Sequence, residues 1–472
     1  MNSIKKVVEG GFCVGCGACS VASKGVIPIR VDAFGRFIPE LAAADEQTLS
    51  AVDSVCPFSD ASQDETVLGQ EIFGKQALSH DERLGHYLSL SAGRISDSSA
   101  VENSSSGGLT TWLAIELLKR GLVDGVIHVA EPEQQSDRLV GYTVSESLEQ
   151  LQSRTKSRYY TIEFSEVIAS IRGNGKKYLF IGVPCFVKAV RLLCRYDAVL
   201  NEQIVFNFAL ICGHLKTPAF AELLAWQLGV APDTLDRFDF RVKDPQLPAS
   251  KYSVAAWADQ DPQAKSGPAY KLYGSNWGHA FFQLKACDAC DDVMGELGDV
   301  TFGDAWLPQY EQDWRGTNIV ICRSAQLQAI LEQGVKAGSI CLESIVAQDA
   351  VKSQEGNYRH RWDGLSLRAA DARRKGTWFP RKRIAPGSRH VDFFRKRVVR
   401  LRAAMAEKSH GAFLAAKEKN DLSVFFATMQ PLTQQMRALY DWSYRLSPAR
   451  LKKALDPVFV FNKVLSLLGK RR

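Results

Sequence analysis

Four cysteines that lie far apart in the chain have to meet. Cys287 and Cys290, in the run CDACDDVMGELGDVTFGD, offer two soft ligands from a single turn. Two thiolates do not complete a site that prefers four. Cys185 ends the apolar run YLFIGVPC and Cys212 ends VFNFALIC. Each run reads as a buried strand with its cysteine in the loop at the C-terminal end. Cys185, Cys212, Cys287 and Cys290 are therefore read as one four-cysteine site. Its ligands span about a hundred residues, so two strand ends must point at the Cys287–Cys290 turn. A helix follows over residues 186–195, and the pattern repeats at Ile204 to Ile211 with Cys212-Gly213-His214 as the loop. Strand, loop and helix in that order predict an α/β fold whose ligands gather beyond the strand ends. Singly, Cys185 and Cys212 would each pass as inert core thiols. Cys194, Cys322 and Cys341 lack comparable context and read as structural.

A second cysteine pattern is local. Cys13-Val-Gly-Cys16-Gly-Ala-Cys19 places three thiols at a spacing that wraps one face of an iron–sulfur cube, and Cys56 before Pro57 supplies a fourth ligand in the ferredoxin manner. A zinc site, which prefers two separated cysteine pairs, and inert thiols are the alternatives. The insert GVIPIRVDAFGRFIPEL reads as a hairpin turning at Phe34-Gly35. Eleven cysteines behind an N-terminus without an apolar leader argue against a disulfide framework. No run of eighteen apolar residues offers a spanning helix. The expectation is a cytoplasmic protein with reduced thiols.

Ser104-Ser105-Ser106-Gly107-Gly108 precedes LTTWLAIELLKRG, a helix stopped by Gly121, and a strand follows over residues 123–129. Serines and glycines at a helix start suit either a phosphate or an ordinary cap. No G-x-G-x-x-G follows a strand, so a Rossmann nucleotide site is not supported. Residues 153–160, SRTKSRYY, mix cations, hydroxyls and aromatics. They read as a clamp for a pyrophosphate, a cover for a flavin ring, or a solvated basic turn.

Charge divides the chain. Residues 368–472 carry 25 Lys+Arg against 7 Asp+Glu, a local +18, which leaves −11 on residues 1–367 out of the net +7. An acidic body with a basic tail implies an anionic partner, a protein or a membrane surface before nucleic acid. Residues 376–387 read as a basic linker. Helices are expected over 393–407, 422–439 and 457–468, the last with one face of Asn462, Lys463, Ser466 and Lys470 fit for a membrane interface. The reading is three parts: a ferredoxin-like segment (1–65), a core (66–375) and a basic helical extension (376–472). All eight site cysteines precede the extension, which is therefore expected to be separable.

The marks CVGCGAC, SSSGGLTTWL, KSRYY, IGVPCFVKAV, FALICGH, FDFRVK, CDACDD, GDVTFGD and GTNIVICR occur in order over roughly residues 10–360. With them the chain resembles the family of coenzyme F-420 hydrogenase and dehydrogenase beta subunits, which includes two-cluster reductases like 7-hydroxymethyl chlorophyll a reductase. The resemblance implies an α/β flavoprotein core that binds FAD, with a 4Fe–4S cluster beside the flavin and a second cluster at the N-terminus. It implies flavin contacts from Ser105, Ser106, Gly107, Gly108, Lys156, Ser157, Arg158 and Tyr159. Candidate proton donors are His214, Asp304 and Tyr159, whose structural alternatives are a helix cap, a turn brace and a stacking ring. The expected function is an oxidoreductase moving electrons between clusters and FAD to reduce or oxidise a small molecule, fed by a ferredoxin-type donor or a partner redox subunit. A pure electron-transfer role within a larger redox complex and a zinc-stabilised adaptor are the other readings.

Overall fold

The computed structural model describes residues 2–446, apart from residues 77, 132–138 and 260. The helix expected over 457–468 lies outside the described residues. An eight-stranded mixed sheet carries the fold. Its order is Ile340–Ser344, Ser89–Ile95, Asn318–Cys322, Val300–Asp304, Ile204–Leu210, Tyr178–Gly182, Gly125–Ala130 and Gly141–Ser145. The four strands from Val300–Asp304 to Gly125–Ala130 run parallel, and the flanking pairs are antiparallel. Parallel strands covered on both faces read as continuous apolar runs. Tyr178–Gly182 is buried at every position.

Alternation across the pleat sorts the two faces. Leu179, Ile181, Phe208 and Phe302 pack against the helices Leu109–Lys119 and Ala325–Lys336. Phe180 and Ala209 face a larger core that also contains Ile4, Phe12, Val52 and Phe58 of the first 65 residues. The expected hairpin forms as Ile29–Val31 paired with Phe37–Pro39. Asp32 closes it by accepting the N–H groups of Phe34 and Arg36. A separate three-stranded sheet over residues 235–268 had no counterpart in the sequence reading.

The C-terminal part packs on the body. Residues 376–387 are tied into the body. Arg383 makes a bidentate pair with Glu296 at 2.7 Å and 2.7 Å, Trp378 Nε1 donates to Asp60, and the Trp378 and Phe379 rings stand edge-on to Phe12. The helix Phe393–Glu418 runs past the expected end at residue 407 because Ala412, Phe413 and Ala416 continue its buried face. With Leu422–Arg445 it brings Phe413 and Phe425 onto Phe282, at ring distances of 5.5 Å and 5.7 Å. Ser409 Oγ accepts the N–H of Phe282, a residue in the left-handed region at φ 60°. The extension thereby braces the chain just ahead of Cys287.

Candidate redox site

The first cysteine set lines one cavity. Cys13, Cys16, Cys19 and Cys56 share it with apolar walls that include Ile4, Val7, Phe12 and Val14. Gly15 and Gly17 turn through positive φ between the thiols. A Cβ on Gly15 would meet Phe37 at 2.6 Å, and one on Gly17 would meet Glu163 at 2.8 Å. The Gly15 N–H points at Cys13 Sγ over 3.3 Å. Burial pushes the Cys13 thiol up to about 11 and the Cys56 thiol up to about 12, and it raises Cys16 and Cys19 further. Deprotonating four such thiols together requires a bound cationic centre.

The parallel strands deliver the second set. Cys185 follows Tyr178–Gly182 and sits in the first turn of the helix Pro184–Tyr196, where Pro184 is favoured, rather than in a loop as expected. Cys212 lies two residues beyond Ile204–Leu210, and Cys287 and Cys290 belong to the turn at Lys285–Ala289. Burial raises the Cys185 thiol well above its ordinary value, with smaller contributions from Cys290, Cys212, Cys287 and, from the other set, Cys16. Tyr142, buried and stacked on Phe180 and Phe186, feels both Cys185 and Cys16. The two sets are therefore neighbours, with an aromatic cluster alongside. Among the described residues no three His, Cys, Asp or Glu side chains converge as ligands of a single ion. A cube of irons and sulfides, which holds its thiolates farther apart than one tetrahedral ion does, asks for looser groupings.

Arg361 is the residue the sequence reading missed here. It is 1% exposed and donates from Nη1 to Cys290 Sγ at 2.6 Å and from Nη2 to the carbonyls of Cys212 and Gly213 at 2.8 Å and 2.7 Å. It sits on a π-helical turn, Arg359–Asp363, a device that re-aims side chains at functional sites. The Leu215 N–H adds a bond to Cys287 Sγ at 3.2 Å.

A polar cavity opens beyond the strand Val300–Asp304. Asp304 pairs with Arg241 at 2.9 Å, and Arg241 lies over the rings of Tyr252 and Trp306 at 5.1 Å and 5.7 Å. Ser105, Ser106 and Lys243 line the same cavity. Lys243 Nζ donates to the carbonyls of Val101, Ser106 and Arg315 and staples the serine loop. Burial, with Lys156 and Arg241 nearby, pushes Lys243 down to about 7. Arg241 and Lys243 lie in the FDFRVK mark, where the sequence reading gave them no role.

None of Lys156, Ser157, Arg158 and Tyr159 lines this cavity, although Lys156 donates to the carbonyl of Arg241. Ser157 N–H donates to Ser105 Oγ at 2.8 Å, Lys156 pairs with Asp239 at 3.1 Å, and Arg158 pairs with Glu131 at 2.8 Å. Tyr159, pushed up to about 12 by burial, stands edge-on to Phe240 and Trp277. Gly107 and Gly108 do not line the cavity. A Cβ on Gly107 would strike Gly93 O and Asn318 Oδ1 at 2.8 Å, so close packing on the sheet demands that glycine. The Leu109 N–H is already taken by Asn318 Oδ1. His214 does not line the cavity either. It lies 4.6 Å from Trp277, with burial and then Lys216, Arg402 and Arg361 holding it well below the usual imidazole range.

Two neighbouring sets of four buried or half-buried cysteines beside a cation-lined cavity are what this geometry describes. Two family models of the coenzyme F-420 hydrogenase/dehydrogenase beta subunit match the chain, the C-terminal one over residues 175–348 and the N-terminal one over residues 90–169. Together they span more than half of the chain, which belongs to the family of coenzyme F-420 hydrogenase/dehydrogenase beta subunits, themselves parts of oxidoreductases. The chain is 26% identical over 221 residues to the F subunit of F(420)H(2) dehydrogenase from Methanosarcina mazei, covering 44% of this chain and 55% of that one. It is 21% identical over 267 residues to the beta subunit of coenzyme F-420 hydrogenase from Methanothermobacter thermautotrophicus, covering 54% and 84% respectively. It is also similar to a chain of the F-420-reducing nickel–iron hydrogenase complex from Methanosarcina barkeri, with TM-score 0.47 and 17% identity over 63% of this chain and 96% of that one.

Proposed function

We propose that the chain is an iron–sulfur flavoprotein that carries electrons between two 4Fe–4S clusters and an FAD, and from there to or from a small-molecule substrate. The observation that supports it most is the adjacency of the two cysteine sets, with the thiols of Cys16 and Cys185 close enough to influence one another. Cys13, Cys16, Cys19 and Cys56 would hold one cluster, and Cys185, Cys212, Cys287 and Cys290 the other. The cavity at Asp304 would take the flavin. Its Arg241 and Lys243 offer cations to a phosphate or a reduced ring, and Trp306 and Tyr252 offer apolar faces. Clusters pass single electrons while a flavin accepts one or two, so the pair couples one-electron input to hydride-type chemistry. The chain's part is to bind, exclude water and supply a proton. Asp304 and Tyr159 flank Arg241 and are the candidates for that proton. Ser105, Ser106 and the Lys156–Tyr159 segment would position the cofactor. A ferredoxin-type donor or partner redox subunit would feed the N-terminal set, and the basic extension over residues 376–472 would serve contact with an anionic partner or the inner face of a membrane. No described helix is long and apolar enough to cross a membrane.

Anaerobic full-length protein should be brown, contain about eight iron atoms per chain, and release FAD on denaturation. Full iron without flavin would overturn the flavin assignment, and colourless protein would overturn both.

A further inference from the structure

The surroundings of the two cysteine sets assign them different affinities for an electron. Arg361 is a fully buried guanidinium with no carboxylate among its contacts. Its donors go to one thiol sulfur, Cys290 Sγ, and to the carbonyls of Cys212, Gly213 and Asp292. An unpaired buried cation is costly unless an anion stands against it. The nearby acids are already engaged. Asp291 lies 3.4 Å from Arg383 and 4.0 Å from Lys382, Glu296 is held bidentately by Arg383, and Asp292 accepts the N–H groups of Gly295 and Glu296. The anion left for Arg361 is the thiolate-bound group that Cys185, Cys212, Cys287 and Cys290 would hold.

Among the described residues no unpaired guanidinium of this kind faces the first set, whose sulfurs take backbone N–H groups such as that of Gly15 instead. Its cavity walls are mainly apolar. Arg36, the cation that acts on Cys13, is already paired with Asp32 at 2.6 Å, and Lys285 lies over the Phe12 ring. Carboxylates stand near both sets, Asp53 by Cys56 and Asp291 and Asp292 by Cys290, and each is held by hydrogen bonds or ion pairs of its own. Adding an electron makes a cluster more negative. A guanidinium aimed at its sulfurs favours that state, and an apolar pocket without one opposes it.

Resting on the two-cluster reading above, we propose that Arg361 sets the order of reduction potentials, making the second cysteine site the better electron acceptor. Electrons entering at the N-terminal site then run downhill to the second cysteine site. The electron gained at one site is lost at the other or by the external reductant, and no bond or proton is involved.

The test is an EPR-monitored redox titration of anaerobic full-length protein with dithionite. Cys16→Ser and Cys287→Ser assign the two signals. The first electron should appear on the signal lost in Cys287→Ser. Arg361→Gln should lower that site's midpoint until the first electron is shared with, or moves to, the N-terminal site, and Arg361→Lys should restore most of the original order. Overturning results are a first electron on the signal lost in Cys16→Ser, or an iron-replete Arg361→Gln variant with unmoved midpoints. Should Arg361→Gln fail to fold, the order in unsubstituted protein still decides. Iron well below two clusters would instead count against the two-cluster reading itself.

Discussion

The two cysteine sets are built in opposite ways. Three thiols of the first come from seven consecutive residues and the fourth from Cys56, inside a segment whose own Ile4, Val7 and Phe58 make the walls. The second draws on a helix start, a strand end and a turn, and is completed by Arg361 from a distant helical turn. The first is a local motif in an apolar pocket. The second exists only when the whole sheet and the C-terminal helices are in place, and that dependence makes it charged, braced and sensitive to remote change.

The largest expected effect comes from cutting that dependence. Ending the chain at residue 375 removes Arg383 from Glu296, Ser409 from Phe282 and Phe425 from its stack. Such a protein should fail to accumulate with iron, as measured by soluble yield and iron per chain. Full iron in both sites would show that the extension is a separable module after all. Next, Phe425→Ala should cost about 3–5 kcal/mol in chemical denaturation. It should perturb the second site's spectrum while leaving the first unchanged, because Phe425 packs on Phe282 ahead of Cys287. Equal disturbance of both would break the proposed contrast.

Lys243→Met sharpens the comparison at the cavity. Its folded value of about 7 lies below the ordinary 10.5, so between these limits the folded chain binds fewer protons than the unfolded one. This group's contribution to stability therefore rises with pH across that window, while its attraction for an anionic ligand falls as pH climbs through about 7. The variant should weaken flavin retention about tenfold, roughly 1.4 kcal/mol, and abolish the pH dependence of retention above pH 7. An unchanged pH profile would remove Lys243 from the site. The smallest effect is expected from Cys322→Ser. Cys322 packs among Phe302, Leu327 and Leu331 and touches neither cysteine set. The cost should be about 1–2 kcal/mol of stability with no loss of iron.

Local signals were legible in the sequence. Apolar runs ending in Cys185 and Cys212 gave adjacent parallel strands with both cysteines at the same edge, because an unbroken apolar run suits a strand covered on both faces. The turn at Phe34-Gly35 and the helix after Gly108 were visible from their own turn and capping residues. Long-range compensation was not. Arg361 sits in RHRWDG, beyond the last of the marked motifs, and the π-helical turn and its carbonyl partners bury it. Arg383 looked like linker charge because its partners, Glu296 and Asp291, lie about ninety residues away. Gly107 suited either a phosphate site or an ordinary helix start, and its size is dictated by Gly93 and Asn318 across the sheet. In each case the deciding partner is distant in sequence, where neither periodicity nor spacing reaches.

Iron and acid-labile sulfide per chain in full-length Cys16→Ser and Cys287→Ser, prepared anaerobically beside the unsubstituted protein, test the central claim most directly. Two adjacent cysteine-bound clusters predict that each variant loses about half of the iron and sulfide and keeps the other half. Unchanged iron in either variant would contradict the account.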